Sequence, residues 1–221
     1  MHAALIILRK DLRIEWRTRE SVSSLVTLGI LLLVVFTVAH DPTPEEAVRL
    51  APSVLWATFV FTGLLGVQRS FLLERDQDCL AGLLLAPIDP AAIYVGKLLA
   101  NLVLLGTMQA IVVPLVALLL HVDFSAVLPG LLVVLSMGNL GFAASATLFA
   151  AIAVRTRARE VLLPLLLLPL SLPVLIAGVK ATQAVLAGGL AAAGDALGVL
   201  GAFDVIFTVA GWLLFTYVVQ D

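Results

Sequence analysis

Apolar residues fill six long runs of the chain, and short polar or charged segments separate each run from the next. A helix that crosses a lipid bilayer needs about 20 mainly apolar residues, because each residue advances the helix by about 1.5 Å. The runs approach or exceed that length, so the pattern predicts an all-α polytopic membrane protein with one transmembrane domain over residues 1–221. The predicted spans cover residues 21–39, 52–67, 98–120, 127–154, 161–178 and 199–219.

The composition supports a membrane protein and excludes several soluble classes. Hydrophobic residues make up 62% of the chain and charged residues 13%, whereas soluble domains hold about 45–50% and about 25%. No run of basic residues resembles a nucleic-acid-binding surface, so no nucleic-acid partner is expected. Cys79 is the only cysteine, which excludes an intramolecular disulfide and metal sites built on several cysteines.

The positions of Lys and Arg predict the orientation of the spans. The first twenty residues do not resemble a signal peptide, because their charges follow the short apolar run instead of preceding it. Of the 13 Lys and Arg residues, all but Arg49 and Lys180 fall in the N-terminal segment or in alternate connections between spans. Positive residues favour the cytoplasmic side. We therefore expect six spans with both termini in the cytoplasm.

Two outer segments carry structural signals. Thr43, Pro44 and Glu46 form an N-cap, a first-turn proline and a capping-box glutamate, which predicts a short external helix. Residues 180–198 are rich in Ala and Gly and could form an external helical hairpin or a shallow re-entrant segment.

Charged side chains are expected to avoid the middle of every span. Asp204 is placed close to the outer end of the sixth span. Carriers coupled to protons or ions usually hold ionisable groups at mid-membrane. The expected absence of such groups argues against a secondary transporter.

The N-terminal segment, residues 2–20, has the pattern of a helix lying on the membrane surface. Apolar residues recur at spacings of three and four, and basic residues share another face. The alternative is a charged flank that only orients the first span. The residues of the predicted interfacial helix are Leu5, Leu8, Lys10, Leu12, Arg13, Trp16 and Arg17.

Residues 69–97 form an unusually long inner connection, since two-helix hairpins usually need only a few residues. Charges come first, leucines follow on one side of a helical turn, and Pro87 and Pro90 bracket the exit. Such a helix could dock another protein, with leucines in a groove and charges fixing the register. The alternative is a solvated loop whose leucines dip into lipid. The candidate docking residues are Glu74, Arg75, Asp76, Asp78, Leu80, Leu83 and Leu84.

Two spans carry residues that predict helix packing. The fourth contains Gly138, Asn139 and Gly141, whose small or amide side chains favour close helix contacts and interhelical hydrogen bonds. The fifth contains Pro164, Pro169 and Pro173, which should bend the helix and free carbonyl groups that protein must bury.

Motifs for catalysis and cofactor binding are missing from the sequence. There is no GxxxxGK[ST] phosphate loop, no HExxH, no GxSxG and no CxxCH. We therefore expect no catalytic, metal-binding or cofactor-binding residues, and any ATPase activity must belong to a partner chain. His40 and His121 lie at outer membrane edges and could ligate haem, although a lone interfacial histidine is more often structural.

Several stretches together resemble the haem exporter protein B (CcmB) family, which comprises ABC-2-type permease subunits of the cytochrome c maturation system in the bacterial inner membrane. They are KDLRIEWRTRE (10–20), APSVLW (51–56), the segment from Phe71 through LLLAPIDPAAIYVGKLLAN (83–101), and LPLLLLPLSLPVLIAG (163–178). Family members often carry an acidic pair followed by Gly-x-Leu-Glu in the docking helix. Residues 77–81 lack that glycine and final glutamate.

The resemblance implies a function and a set of partners. A separate CcmA-like ABC ATPase subunit would hydrolyse ATP and bind residues 69–97, and a second copy of the chain would complete the core. Further partners would be a haem-handling membrane subunit, a small single-span subunit, a periplasmic haem chaperone and membrane lipid. Haem would be the cargo, exported directly or released as haem-loaded chaperone. The alternatives are an exporter of a drug, lipid or polysaccharide, and a passive membrane scaffold.

Overall fold

The computed structural model describes residues 2–18, 20–76, 89–154 and 159–220, and these residues form seven α-helices. Two 3-10 turns, Ser125–Val127 and Leu190–Ala193, precede α5 and α7. The helices are α1 His2–Thr18, α2 Glu20–His40, α3 Pro44–Asp76, α4 Pro90–Leu120, α5 Leu128–Val154, α6 Arg159–Gly188 and α7 Gly194–Gln220.

Six of these helices, α2 to α7, are long and apolar enough to cross a membrane. The predicted fold class, an all-α protein with six membrane-spanning helices, is confirmed. His40 at the end of α2, Leu120 at the end of α4 and Lys180 in the last part of α6 lie around one crevice, so these three helices end on one side of the bundle, which we call the far end. The opposite side, where α3 ends and α4 begins, is called the near end.

The helix that starts at Pro44 continues into the second span. Thr43 immediately precedes it, and Glu46 takes the predicted capping-box role, since its Oε2 accepts hydrogen bonds from the Thr43 backbone N–H and hydroxyl, at 2.9 and 2.8 Å. The prediction of a separate short external helix is wrong, because α3 runs without interruption for 33 residues. Pro52 lies inside α3 and does not end it.

The segment 180–198 forms the tip of a helical hairpin, one of its two predicted forms. Residues 180–188 continue α6, and the chain turns at Gly189, whose φ of 76° is a left-handed conformation that glycine adopts without strain. A 3-10 turn then leads into α7 at Gly194. The last span therefore extends about five residues further toward the far end than its predicted start at residue 199.

Trp56 of α3 joins three helices at the centre of the bundle. Its side chain is 0% exposed, and its Nε1–H donates to Thr182 Oγ1 of α6 at 2.9 Å. The ring lies so close to Gly138 of α5 and Gly178 of α6 that a Cβ atom at either position would collide with it. Phe59 meets the ring edge-on, with centroids 5.4 Å apart. The small residues of α5 and α6 thus make room for one large indole.

The three prolines of α6 lie within one continuous helix. Pro164 is half-buried, whereas Pro169 and Pro173 are exposed on the surface of the single chain. Leu165, whose carbonyl Pro169 leaves without its helical partner, is exposed as well. The sequence predicts that protein buries the freed carbonyls, but this chain alone leaves that face of α6 open.

Candidate functional site

The predicted docking segment begins in the last turn of α3. The backbone of Glu74, Arg75 and Asp76 is helical, and α3 ends at Asp76. The other docking candidates, Asp78, Leu80, Leu83 and Leu84, lie outside the described residues. The structure therefore describes the two long helices on either side of these residues, α3 before them and α4 after them.

The exit from this segment is fixed by a helix cap. The carboxylate of Asp89 accepts a hydrogen bond from the backbone N–H of Ala91 at 2.9 Å, and Pro90 occupies the first helical position. A capping side chain satisfies a backbone donor that has no partner within the helix, and proline favours the first turn. The chain therefore enters α4 at a defined point and in a defined direction.

The N-terminal helix packs against α4 within two turns of that cap. Ala4 and Ile7 are buried, and both lie against Gly96. A Cβ atom at Gly96 would come within 2.9 Å of Ile7 Cβ and 3.0 Å of the Ala4 carbonyl oxygen. Gly96 thus permits a close contact between the two helices.

An ion pair fixes the same contact. Lys97 Nζ of α4 lies 2.8 Å from Asp11 Oδ2 of α1, and Lys97 is only 1% exposed. The neighbouring Lys10 Nζ lies 3.2 Å from Asp11 Oδ1. Sequence reasoning placed Lys97 in the inner segment as a positive charge at membrane re-entry and gave Asp11 no role. One feature of the sequence could have pointed to a role for Asp11: Ala4, Ile7 and Asp11 share one face of a helix, at spacings of three and four.

The predicted apolar stripe of α1 is not the face that packs on α4. Leu5 is 49% exposed, and Leu8 and Leu12 are half-buried. Arg13 is exposed and Lys10 half-buried, whereas the side chains of Trp16 and Arg17 lie outside the described part. Hence α1 has one face on α4 and leaves a second apolar face open.

Polar side chains join α4 to α5 inside the bundle. Asn139 Nδ2 donates to Gln109 Oε1 at 2.7 Å, and Asn101 Nδ2 donates to Thr147 Oγ1 at 2.9 Å. All four residues are buried. Interhelical hydrogen bonds of this kind stabilise packing in an apolar environment and set the relative height of the two helices.

Asp204 occupies a different place from the one predicted. Its carboxylate is buried between α7 and α5. Oδ1 lies so close to Gly141 that a Cβ atom on Gly141 would collide with it. Both residues sit near the middle of their helices, since α7 begins at Gly194 and α5 covers Leu128–Val154. The expectations that Asp204 lies near the outer end and that no charged residue is central are wrong. The argument they gave against an ion-coupled carrier no longer holds.

The two far-end histidines have local roles in the structure. Nδ1 of His40 lies 3.1 Å from the Phe36 carbonyl oxygen, one turn earlier in α2. His121 ends α4 in a left-handed conformation. Within the described ranges, no group of three or more His, Cys, Asp or Glu residues could hold a metal ion.

Comparison with known proteins identifies the family. The family model described as "CcmB protein" matches residues 2–217. The chain belongs to the CcmB family. This confirms the resemblance found in the four sequence stretches. The match begins with α1 and ends at residue 217, near the end of α7.

Similar proteins named "Heme exporter protein B" include those of three bacteria. The chain is 28% identical over 211 residues to the Bradyrhizobium diazoefficiens protein, covering 96% of this chain and 94% of the relative. Identity to the Paracoccus denitrificans protein is 32% over 184 residues, covering 82% and 83%. Identity to the Rhodobacter capsulatus protein is 31% over 174 residues, covering 79% of each. The likeness therefore covers nearly the whole of both proteins in the first comparison and about four fifths of both in the other two.

Proposed function

We propose that the chain is the membrane subunit of an ABC transporter complex for cytochrome c biogenesis. The observation that carries the proposal is the CcmB family match over residues 2–217. The names of the relatives support haem export as the process that the complex serves. The six long apolar helices supply a membrane domain suited to that role.

We further propose that energy reaches this subunit through residues 69–97. The chain has no phosphate loop, so ATP hydrolysis belongs to a separate ATPase subunit. That partner would grip the charged end of α3 and the apolar turn that follows it. The acids and Arg75 would fix the register, and the leucines would enter a groove.

The packing around α4 supports a mechanical link between the docking segment and the membrane helices. Residues 77–88 lead into α4 through the Asp89 cap, and Gly96 and Lys97 hold α1 against the same helix. A displacement of the segment would therefore carry α4 and α1 together. The hydrogen bond that Asn101 donates to Thr147 and the one that Gln109 accepts from Asn139 would pass the displacement to α5.

The orientation and assembly follow from the same proposal. The near end, which holds the docking segment, faces the cytoplasm and the ATPase, and both chain termini lie on that side. A second copy of the chain completes the core. The complex exports haem or releases haem-loaded chaperone. Its further partners are the haem-handling subunit, the small single-span subunit and the periplasmic chaperone.

Deleting the gene is expected to abolish covalent c-type cytochromes and to leave b-type cytochromes at normal levels. The measurement is haem staining of membrane and periplasmic proteins after gel electrophoresis, with spectra of the b-type pigments as the internal control. A plasmid copy of the intact gene should restore the c-type bands. Normal c-type cytochromes in the deletion strain would refute the proposed process, and an ATPase that co-purified with the intact protein would then point to another cargo.

A further inference from the structure

A crevice of about 460 Å³ opens at the far end of the bundle, between α2, α3 and α6. Its walls are almost entirely apolar and include Phe36, Val54, Leu120, Leu175 and Val179. Because α2 ends at His40 and α4 ends at Leu120, the mouth lies at the level where these spans leave the apolar layer. The walls below the mouth lie at the depth of lipid acyl chains.

The crevice owes its room to small residues on one face of α3. Leu50, Ser53, Val54 and Ala57 all line it, and they recur at the spacing of a single helix face. Ser53 and Ala57 carry the two smallest of these side chains. A slot along about two turns of α3 remains between α3 and α6.

Apart from Ser53 on α3, the polar side chains of the crevice lie at its mouth. Lys180 and Gln183 of α6 and His40 of α2 border it, and all three are exposed. Lys180 forms no ion pair with any residue that the structure describes. Asp195 borders a neighbouring depression that Lys180 also lines, and Asp41 follows His40 in the chain. Neither acid lines the crevice itself.

We propose that this crevice binds one phospholipid, with an acyl chain between α3 and α6 and its phosphate diester at Lys180. Lysine keeps its alkyl stem along apolar surface and its ammonium group at the headgroup layer, where it attracts lipid phosphate. Gln183 and the His40 ring add hydrogen-bonding groups beside the same phosphate. The site is independent of the docking segment, which lies at the other end of the bundle.

Native mass spectrometry of the full-length chain in its purified complex tests the proposal. The protein is stripped with detergent and then titrated with phosphatidylglycerol, with phosphatidylethanolamine, or with diacylglycerol, which has acyl chains but no phosphate. We expect one retained molecule of either phospholipid and none of diacylglycerol. Lys180→Gln should weaken phospholipid retention about fivefold, the effect of about one cationic contact. Ala57→Phe should abolish it by filling the slot.

Arg49→Gln is the matched control. Arg49 is the other basic residue that the sequence assigns to the outer side, and it is absent from the lining of the crevice. Retention in this variant should equal that of the original protein. Equal retention in all variants, equal loss in Arg49→Gln, or equal binding of diacylglycerol would each overturn the proposal. So would a Lys180→Gln protein that loses a protein subunit instead of a lipid, since the crevice would then belong to a contact between chains.

Discussion

Lys97→Met is expected to lower the free energy of unfolding by about 3 kcal/mol, because it leaves the Asp11 carboxylate nearly buried without its main partner. Lys97 Nζ lies 2.8 Å from Asp11 Oδ2, and Lys10 Nζ, at 3.2 Å from Oδ1, would remain beside the carboxylate. Lys10 places the effect at the lower end of the range of about 3–5 kcal/mol for breaking a buried pair. Thermal unfolding of the purified protein in detergent, followed by intrinsic fluorescence, measures the loss as a lower Tm.

The double variant Asp11→Leu with Lys97→Met separates the ion pair from simple packing. Replacing both members of a buried pair by apolar residues is often neutral or stabilising, whereas removing one member is not. We therefore expect the double variant to recover most of the stability that Lys97→Met loses. If the double variant were less stable than Lys97→Met alone, the pair would not hold α1 on α4 in the way the geometry indicates.

Trp56→Ala is expected to cost about 3–5 kcal/mol, the range for removing a fully buried aromatic side chain. The indole fills the space between α3, α5 and α6, against Gly138 and Gly178, and its loss leaves a cavity that these backbones are too constrained to close. It also removes the hydrogen bond that Thr182 Oγ1 accepts. The measurement is again the unfolding temperature, together with the yield of protein that remains monodisperse after extraction.

Trp212→Ala provides the matched control for this substitution. Trp212 lies in α7 and is 55% exposed, so its truncation removes the same atoms without opening an internal cavity. We expect its Tm to stay close to that of the original protein. Equal losses of Tm in the two variants would contradict the central position assigned to Trp56.

The sequence was sufficient for the fold class because the bilayer imposes a simple rule. A span needs about 20 apolar residues, and six such runs can be counted. It also predicted the capping box at Thr43, because that motif is defined by residues within one helical turn of each other. Predictions of this kind succeed because they depend only on residues that are close together in the sequence.

The sequence was insufficient to predict features that depend on tertiary contacts between separate helices. Nothing near Lys97 in the chain reveals that Asp11, on a separate helix, lies 2.8 Å away. Asp204 was misplaced because the Ala- and Gly-rich residues before it seemed too weakly apolar to join the last span. In the structure, a turn at Gly189 lets α7 begin at Gly194, and the small Gly141 of α5 makes room for the carboxylate.

ATPase stimulation by the membrane subunit tests the central claim most directly. In the variant, Glu74, Asp76 and Asp78 are replaced by lysine. In the control, the exposed far-end acids Glu45 and Asp195 are replaced instead. The ATPase subunit is purified with each protein in lipid nanodiscs, and ATP hydrolysis is measured. We predict that the near-end variant loses both co-purification and stimulated hydrolysis, whereas the far-end control keeps both. Unchanged co-purification and unchanged stimulation in the near-end variant would contradict the claim that residues 69–97 dock the ATPase.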